Sequence, residues 1–453
     1  MKFYIFCNGN VIMKNYEKKV VKFGGSSLAS AEQFIKSANI IKAEASRRFV
    51  VPSAPGKRFD GDTKVTDLLI ACYKNSAEGG DWQTVFAEVE SRYNDIIAGL
   101  GLDLSLEAEF AVVRDNLAKG TTLDYTASRG EYLNGIILAA YIGYEFIDAA
   151  EMIFFDEEGK FDANKTNTVM SERLSGKKNA VIPGFYGSNP DGSVKTFARG
   201  GSDITGAIVA RAVMADIYEN WTDVSGFLMC DPRIVENPRP INIVTYRELR
   251  ELSYMGASVL HEDSIFPVKL ASIPINIRNT NRPEDKGTLI VTSTDGYRTD
   301  DIITGIAGKK GFSVIRIEKD MMNQETGFAM RVLKVFADLD IPFEHLPSGI
   351  DTMCVVINAA DIKGREYEIA SAIQRAVNPD HIHIDKAMGL IAVVGRNMAG
   401  MPGTAARVFA SLAKADINIR MIDQGSSELN IIIGVDEVSF KRAIKAIYKE
   451  FCN

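Results

Sequence analysis

From residue 18 to about 290, short apolar runs alternate with stretches whose apolar residues recur every three or four positions. Runs such as "VVKF" (20–23), "FVVP" (49–52), "YEFIDA" (144–149), "NAVIPGFYGS" (179–188), "DIYENW" (216–221), "IPINIRN" and "GTLIVTS" predict strands. The intervening periodic stretches predict helices at "SAEQFIKSANIIKAE" (30–44), "DTKVTDLLIACYKN" (62–75), 82–98, 103–118, "GEYLNGIILAAYI" (130–142), "DITGAIVARAVMA" (203–215) and "TYRELRELSY" (245–254). Ser30 with Gln33, and Thr245 with Glu248, have the spacing of capping boxes. Strand–helix alternation of this kind implies an α/β fold with a mainly parallel sheet covered on both faces. Residues 1–18 precede this pattern and read as an extension, with Met13 as a candidate functional start.

Around 292–305 the chain turns polar and carries turn residues, the signature of a linker. Beyond it two rounds of a βαββα pattern follow, each about 70 residues long. The first runs "FSVIRIE", "TGFAMRVLKVFADLD", "IPFEHLPSG", "DTMCVVIN" and a helix near 363–377. The second runs "GLIAVVGRN", "PGTAARVFASLAKAD", "INIRMIDQGS", "LNIIIGVD" and "SFKRAIKAIYKEF". That length is too great for a solenoid unit and suits two small α+β domains.

Composition narrows the class. A chain of 453 residues is too long for one core. A net charge of −7, with basic residues scattered, argues against nucleic acid or an anionic membrane as the main partner. Five cysteines, widely spaced and without CxxC, fit free thiols in a reducing, cytoplasmic setting. No run is apolar for long enough to span a bilayer, and the N-terminus lacks the apolar length of a secretory signal.

The candidate chemistry lies where predicted strands give way to glycine. In "VVKFGGSSL", Lys22 ends a strand that releases into Gly24, Gly25 and Ser26. Glycines let backbone amides approach an anion, and a lysine beside them can neutralise it. The lysine precedes the glycines, so this is not the P-loop order, and a plain turn accounts for the stretch equally well. "TFARGGSDITG" sets Arg199, Ser202 and Asp203 at a second glycine-led helix start, where an arginine can clamp a carboxylate or phosphate with two hydrogen bonds. Ser202 or Asp203 is equally a helix cap. "TASRGEYL" places Glu131 at a helix start, as a dipole-stabilising acid or as the partner of an ammonium group. Thr222 and Asp223 close the strand "DIYENW" in a position that suits nucleotide contact, and Asp231-Pro232-Arg233 follows as a turn. His381 and His383 share one face of a predicted strand, a spacing that permits a metal but is commoner in ordinary surface histidines.

Taken in order, "KFGGSS", "SRGE", "GFYG…RGGSD" and "WTDV…DPR", followed by the paired repeat, resemble the aspartate kinase family over residues 19–453. The resemblance implies an amino-acid-kinase catalytic domain at 19–295, a linker and first ACT domain at 296–385, and a second ACT domain at 386–453. It implies transfer of the γ-phosphoryl of ATP to the β-carboxylate of L-aspartate, with Mg2+ as the accompanying cation. Lys22 and Asp203 would serve catalysis together with Arg199. Thr66, Glu131, Phe185, Arg199 and Ser202 would hold the substrate. Lys22, Gly24, Gly25, Ser26, Thr222, Asp223, Arg233, Ser258 and Val259 would contact ATP. No metal ligands of the protein's own are expected.

The sequence departs from the family at two points. Ser258 stands where members often carry a lysine, and Leu228 where a nucleotide-stacking tyrosine is common. An amino-acid-sensing protein with a degenerate kinase domain is the alternative, and intact Lys22, Glu131, Arg199 and Asp203 argue against it. The motifs resemble the monofunctional, lysine-sensitive branch, which implies lysine (alone or with threonine) as effector and a homodimer or dimer of dimers joined through the ACT domains. For the effector, Gly327 opens a helix whose free N–H groups suit a carboxylate, Met322 and Phe328 suit an aliphatic stem, and Ser348 lies nearby in sequence to Glu344 and Asp351, whose charges suit ammonium groups.

Overall fold

The computed structural model describes residues 4–7, 10–13, 16–198, 200–257, 265–295, 297 and 301–452, with side chains from Tyr16 onward. Arg199, Ser258 and Val259 lie outside the described residues. The chain divides into two units, one of residues 1–227, 240–247 and 259–298, the other of residues 228–239, 248–258 and 299–453.

Strands β1 (Tyr4–Cys7) and β2 (Asn10–Met13) pair antiparallel, Tyr4 opposite Met13. The sequence pattern offered no strand there, because four residues are too few for alternation to register. The first unit is then built on β3 (Lys19–Phe23), β4 (Arg47–Pro52), β5 (Glu145–Phe146), β6 (Ala180–Val181), β9 (Ile217–Thr222), β10 (Ile243–Thr245), β11 (Ile275–Asn279) and β12 (Thr288–Val291), with a separate hairpin of β7 (Tyr186–Ser188) and β8 (Val194–Thr196). The main sheet runs β10-β12-β11-β9-β3-β4-β6-β5. Each neighbouring pair is parallel except β11–β12. The mainly parallel sheet expected from the alternation is therefore present.

Helices α1 (Ala31–Ala43), α2 (Val65–Ala77), α3 (Trp82–Leu100), α4 (Glu107–Lys119) and α7 (Gly201–Ala212) match the periodic stretches. α5 (Leu123–Ile142) begins seven residues before the expected start, so Glu131 lies within the helix and not at its start. α6 (Ala163–Leu174) is not among the expected helices. α8 (Tyr246–Tyr254) and the short α9 (Phe266–Leu270) complete the first half of the chain. Ser30 caps α1 by accepting from the Gln33 amide at 3.4 Å. The Gln33 side chain does not complete the box but donates to Asn281 at 3.2 Å. Val21, Phe23, Phe34, Ile41, Val50 and Leu69, with helices α2–α5, form one continuous core.

The run 179–188, expected as a strand into a turn, gives β6 and then a turn, after which the chain resumes as β7. Pro183 has no amide to donate, and Phe185 sits at φ +82°, a conformation that turns the chain out of the sheet.

The second unit contains β13 (Gly305–Glu318), α10 (Phe328–Asp338), β14 (Thr352–Asn358), α11 (Glu366–Val377), β15 (His381–Val394), α12 (Thr404–Lys414), β16 (Met421–Asp423), β17 (Asn430–Asp436) and α13 (Phe440–Cys452). Its antiparallel sheet runs β14-β13-β15-β17-β16. β13 and β15 are each 14 residues long and serve both repeats. Residues 312–318 pair with β14 and 314–318 with 381–385, whereas 305–309 pair with 390–394, and the register shifts between the two stretches. Each βαββα round is thus closed by a fourth strand, 381–385 for the first and 305–309, upstream of both, for the second. "IPFEHLPSG" makes isolated bridges, His345 to Val356 and Ser348 to Met353, instead of the predicted strand. Pro342 and Pro347 remove two of the donors a regular edge strand would need.

Candidate active site

The site forms where β3, β4 and β9 release their chains. The Gly24 amide donates to the Trp221 carbonyl at 2.9 Å, and the Gly56 amide to the Gly25 carbonyl at 2.9 Å. A Cβ on Gly25 would lie 2.9 Å from the Ala54 carbonyl oxygen, so the two loops can meet this closely only with glycine. The chain then makes a 3₁₀ turn, Gly25–Leu28, before α1 begins. The amides nearest the glycines therefore belong to that turn and not to the helix.

Alternation along a strand sends successive side chains to opposite faces. β3 and β9 are in register with Lys22 opposite Asn220, so both address the face covered by α7. There the Lys22 Nζ lies 2.7 Å from Asp203 Oδ1, and Asn220 Nδ2 donates to the same oxygen at 2.7 Å. Asp203 sits in the first turn of α7, whose preceding residue Gly200 is left-handed at φ +58°.

Glu131, on α5, is buried beside this pair. Ser202 Oγ donates to its Oε1 at 3.5 Å, while its Oε2 is buried without a partner. Burial pushes its carboxyl up to about 7, against the pull of a backbone N–H of Ala54, the Ser202 hydroxyl and the Lys22 charge. A buried carboxylate oxygen with no donor fits a cationic ligand group. Thr66 lies at the start of α2, its Oγ1 3.7 Å from the position of a Cβ on Gly130. Phe185 packs against the start of α7: a Cβ on Gly201 would lie 2.4 Å from its ring. Its amide donates to Thr205 Oγ1 at 3.1 Å, holding the left-handed turn. Thr66, Glu131, Phe185, Ser202, Lys22 and Asp203 thus gather from five segments of the chain.

Thr222 and Asp223 stand at the end of β9, with their side-chain oxygens 3.2 Å apart and the Thr222 carbonyl accepting from the Thr280 amide at 2.8 Å. Arg233 belongs to the second unit, where it forks onto Asp231 at 2.8–3.1 Å and is 86% exposed. Leu228, also in that unit, is exposed. Asn220 was missed in the sequence. Its signal was a polar residue within a predicted strand of the sheet, two positions before Thr222. His381 and His383 are exposed on β15 with ring centroids 6.1 Å apart, and the described residues contain no cluster of three or more His, Cys, Asp or Glu able to hold a metal.

The residues expected to hold an effector divide into two groups. Gly327, left-handed at φ +79°, precedes α10, and Phe328 is buried behind it. Met322 lies in the 3₁₀ turn Met322–Gln324, and Asp351 Oδ1 accepts from the Met321 amide at 3.0 Å. Ser348 lines up with Met353 at the same end of β14. Glu344, in contrast, is level with Val356, its amide donating to that carbonyl at 2.8 Å. Its carboxylate accepts from the Tyr254 hydroxyl, whose titration burial and that bond push up to about 12. Four strand residues separate the two levels, about 13 Å. Glu344 and Asp351 thus lie at different levels along β14, at the two ends of the segment that runs beside it.

A glycine-led loop at the tip of a parallel strand, a lysine–aspartate pair and a buried carboxyl lie together in the first unit, and the class to which this unit belongs is the amino acid kinase family. Residues 17–279 match the amino acid kinase family, and residues 391–451 match an ACT domain. The chain is 39% identical to aspartokinase 3 of Bacillus subtilis over 449 residues, covering 96% of this chain and 98% of the relative. Its fold matches the crystal structure of Clostridium acetobutylicum aspartate kinase with a TM-score of 0.89 at 50% identity, covering 96% of this chain and all of the other. It shares the fold of E. coli aspartokinase III in complex with aspartate and ADP, with a TM-score of 0.70 at 22% identity over 96% of this chain and all of that one. The chain belongs to the aspartokinases, the ATP-dependent enzymes that phosphorylate the β-carboxylate of L-aspartate in the first step of the aspartate pathway.

Proposed function

We propose that Lys22 stabilises the phosphoryl group in flight, with the amides of Gly24, Gly25 and Ser26 around the nucleotide phosphates. Glu131 takes the substrate ammonium, and Arg199 with Thr66, Phe185 and Ser202 fixes the carboxylates. Thr222 and Asp223, with Val259, take the rest of ATP. The observation that carries this reading is the Glu131 oxygen, buried without a donor beside the Lys22–Asp203 pair. The substrate carboxylate is already a nucleophile, so no covalent enzyme intermediate is needed. Positioning and charge neutralisation supply the acceleration.

Mg2+ fits as an ion carried by the nucleotide. The donor set near Lys22 offers Asp203, and Mg2+ commonly takes one or two carboxylates alongside substrate phosphates and water. Bound there, the ion would neutralise charge on the phosphate oxygens.

Lysine, alone or with threonine, is the proposed effector, acting at the Gly327–Asp351 end of the first repeat. Pairing of second units into a homodimer, or a dimer of dimers, would cover their open sheet edges. A cytoplasmic setting agrees with the cysteine usage, and no described helix is long and apolar enough to cross a membrane.

The test is ATP-dependent hydroxamate formation with L-aspartate, L-glutamate or no acceptor, each with and without lysine and threonine. Formation with aspartate alone, reduced by lysine, is expected. ATP binding without acyl phosphate from aspartate would make the chain a sensor.

A further inference from the structure

The loop that joins β4 to α2, residues 53–64, lies against both halves of the site. Its Ser53 amide donates to the Phe23 carbonyl at 3.0 Å, and its Gly56 amide to the Gly25 carbonyl at 2.9 Å. A Cβ on Gly56 would come within 2.6 Å of the Gly25 carbonyl carbon and 2.8 Å of the Ser26 amide nitrogen, so the loop rests directly on the glycine turn. At its other end it leads into Val65 and Thr66 at the start of α2. The Val65 amide donates to the Pro55 carbonyl at 3.1 Å, which closes the neck of the loop.

One side chain spans that neck. Arg92 lies on the stripe of α3 that buries Phe86, Val89, Tyr93 and Ile96, and is itself 5% exposed. Burying a charge is costly unless it is paired and hydrogen-bonded. Its Nη2 donates to the Gly56 carbonyl at 2.7 Å, and its Nη1 to Asp62 Oδ2 at 2.9 Å and the Thr63 carbonyl at 3.3 Å, while its Nε–H is buried without a partner. The planar fork thus ties residue 56 to residues 62 and 63, a geometry that an ammonium group does not reproduce. Asp62 also accepts from the Arg58 amide, Nε and Nη2 at 2.9–3.0 Å, and the charge of Asp95 acts on Arg58 as well. Hydrogen bonds from Arg58 and the Arg92 charge hold the Asp62 carboxyl well below the usual carboxylate range.

The next residue of α3 holds the other substrate element. The hydroxyl of Tyr93, fully buried, donates at 2.7 Å to the carbonyl of Gly130, which immediately precedes Glu131. A Cβ on Gly130 would lie 2.8 Å from that of Ala54, so α5 and the loop meet without room to slide. Adjacent residues of one helix therefore fix the segment before Thr66 and the turn that carries Glu131.

We infer that Arg92 is a positioning residue for phosphoryl transfer: by spanning the neck of the 53–64 loop it sets the substrate residues Thr66 and Glu131 at a fixed distance from the glycine turn. This rests on the site reading proposed above. Each substrate can still bind when the tie is cut, but the two are no longer aligned, and misplacement of reacting groups costs rate more than affinity.

Full-length wild type, Arg92→Gln, Arg92→Lys and Arg58→Gln are compared. Isothermal titration calorimetry with Mg-ADP gives the number of sites and the Kd, and steady-state kinetics at varied L-aspartate gives kcat per ADP site, so unfolded chains do not count. Arg92→Gln should keep its ADP Kd within about threefold while kcat per site falls at least about tenfold. Arg92→Lys, which restores the charge without the fork, should lie between, at least about threefold below wild type. Arg58→Gln removes the exposed partner of the same carboxylate and should stay within about threefold of wild type. Should Arg92→Gln lose its ADP sites, Arg92→Lys decides by the same measure. Wild-type kcat per site in the deciding variant, or loss of ADP sites in both, which would make Arg92 a folding residue, overturns the inference. Lys22→Ala run alongside separates the two levels: if it loses turnover while the Arg92 variants keep theirs, only the role of Arg92 fails, and if it keeps turnover the site reading fails with it.

Discussion

Lys22 Nζ and Asp203 Oδ1 stand 2.7 Å apart, bringing the tip of β3 and the first turn of α7 to one point. Because the lysine charge matters most when charge develops on the transferred phosphoryl, Lys22→Ala should lower kcat about 10²–10³-fold while changing the KM for aspartate much less. Steady-state kinetics at varied aspartate, with circular dichroism to confirm the fold, checks this. An equal loss spread over KM would show that Lys22 serves ground-state binding.

Glu131 should trade stability for affinity. Its carboxyl titrates near 7 in the folded chain against an ordinary 4.5, so between those values the folded state holds the extra proton. Stability therefore falls as pH rises through that window, by about 3 kcal/mol once pH exceeds 7. Glu131→Gln should match wild type in thermal stability near pH 4.5, exceed it at pH 8, and raise the KM for aspartate at both. A variant less stable than wild type at pH 8 contradicts the assignment.

Gly201→Ala tests the strained turn. The new methyl would lie 2.4 Å from the Phe185 ring and 2.9 Å from its Cα, so the ring must move. Aspartate kcat/KM should fall at least about tenfold, the size of effect that small displacements of positioning groups produce. Unchanged kcat/KM would show that Phe185 does not shape the pocket.

In the second unit, Glu248 is fully buried and receives Arg396 Nη1 at 2.8 and 2.9 Å, together with the Arg396 amide at 3.0 Å. Arg396→Leu would leave a buried charge without this partner and should destabilise by about 3–5 kcal/mol. Chemical denaturation followed by circular dichroism reads this directly, and a loss below 1 kcal/mol would mean that Glu248 is held by its other contacts.

Asp351 and Glu344 should separate in their response to lysine. Asp351→Ala is expected to raise the half-inhibitory lysine concentration at least tenfold while uninhibited turnover survives. Glu344→Gln, about 13 Å along β14, should move it little. Equal desensitisation by both would return Glu344 to the effector site.

The sequence by itself determined the local elements. Helices α1–α5 and α7 follow from a three-to-four-residue apolar period, whereas the largely polar α6 does not, and the repeat beyond residue 305 is visible because both rounds use that period in the same order. Glycines 24, 25, 200 and 201 marked the two loops where the site forms, since backbone approach and left-handed turns are requirements on residue type. Lys22, Glu131, Ser202 and Asp203 each had an ordinary structural reading in the sequence, and only the order of their motifs along the chain, through its resemblance to the aspartate kinase family, singled them out together. What only the tertiary structure decided were relations across the sheet. Asn220 joins Asp203 because β3 and β9 lie in register, and register is set by packing against distant helices. The two repeats share β13 and β15, so the second closes on a strand that precedes the first, an arrangement no linear pattern contains. Glu344 parts from Asp351 because the intervening segment runs extended along β14, and spacing in sequence carries no information about that direction.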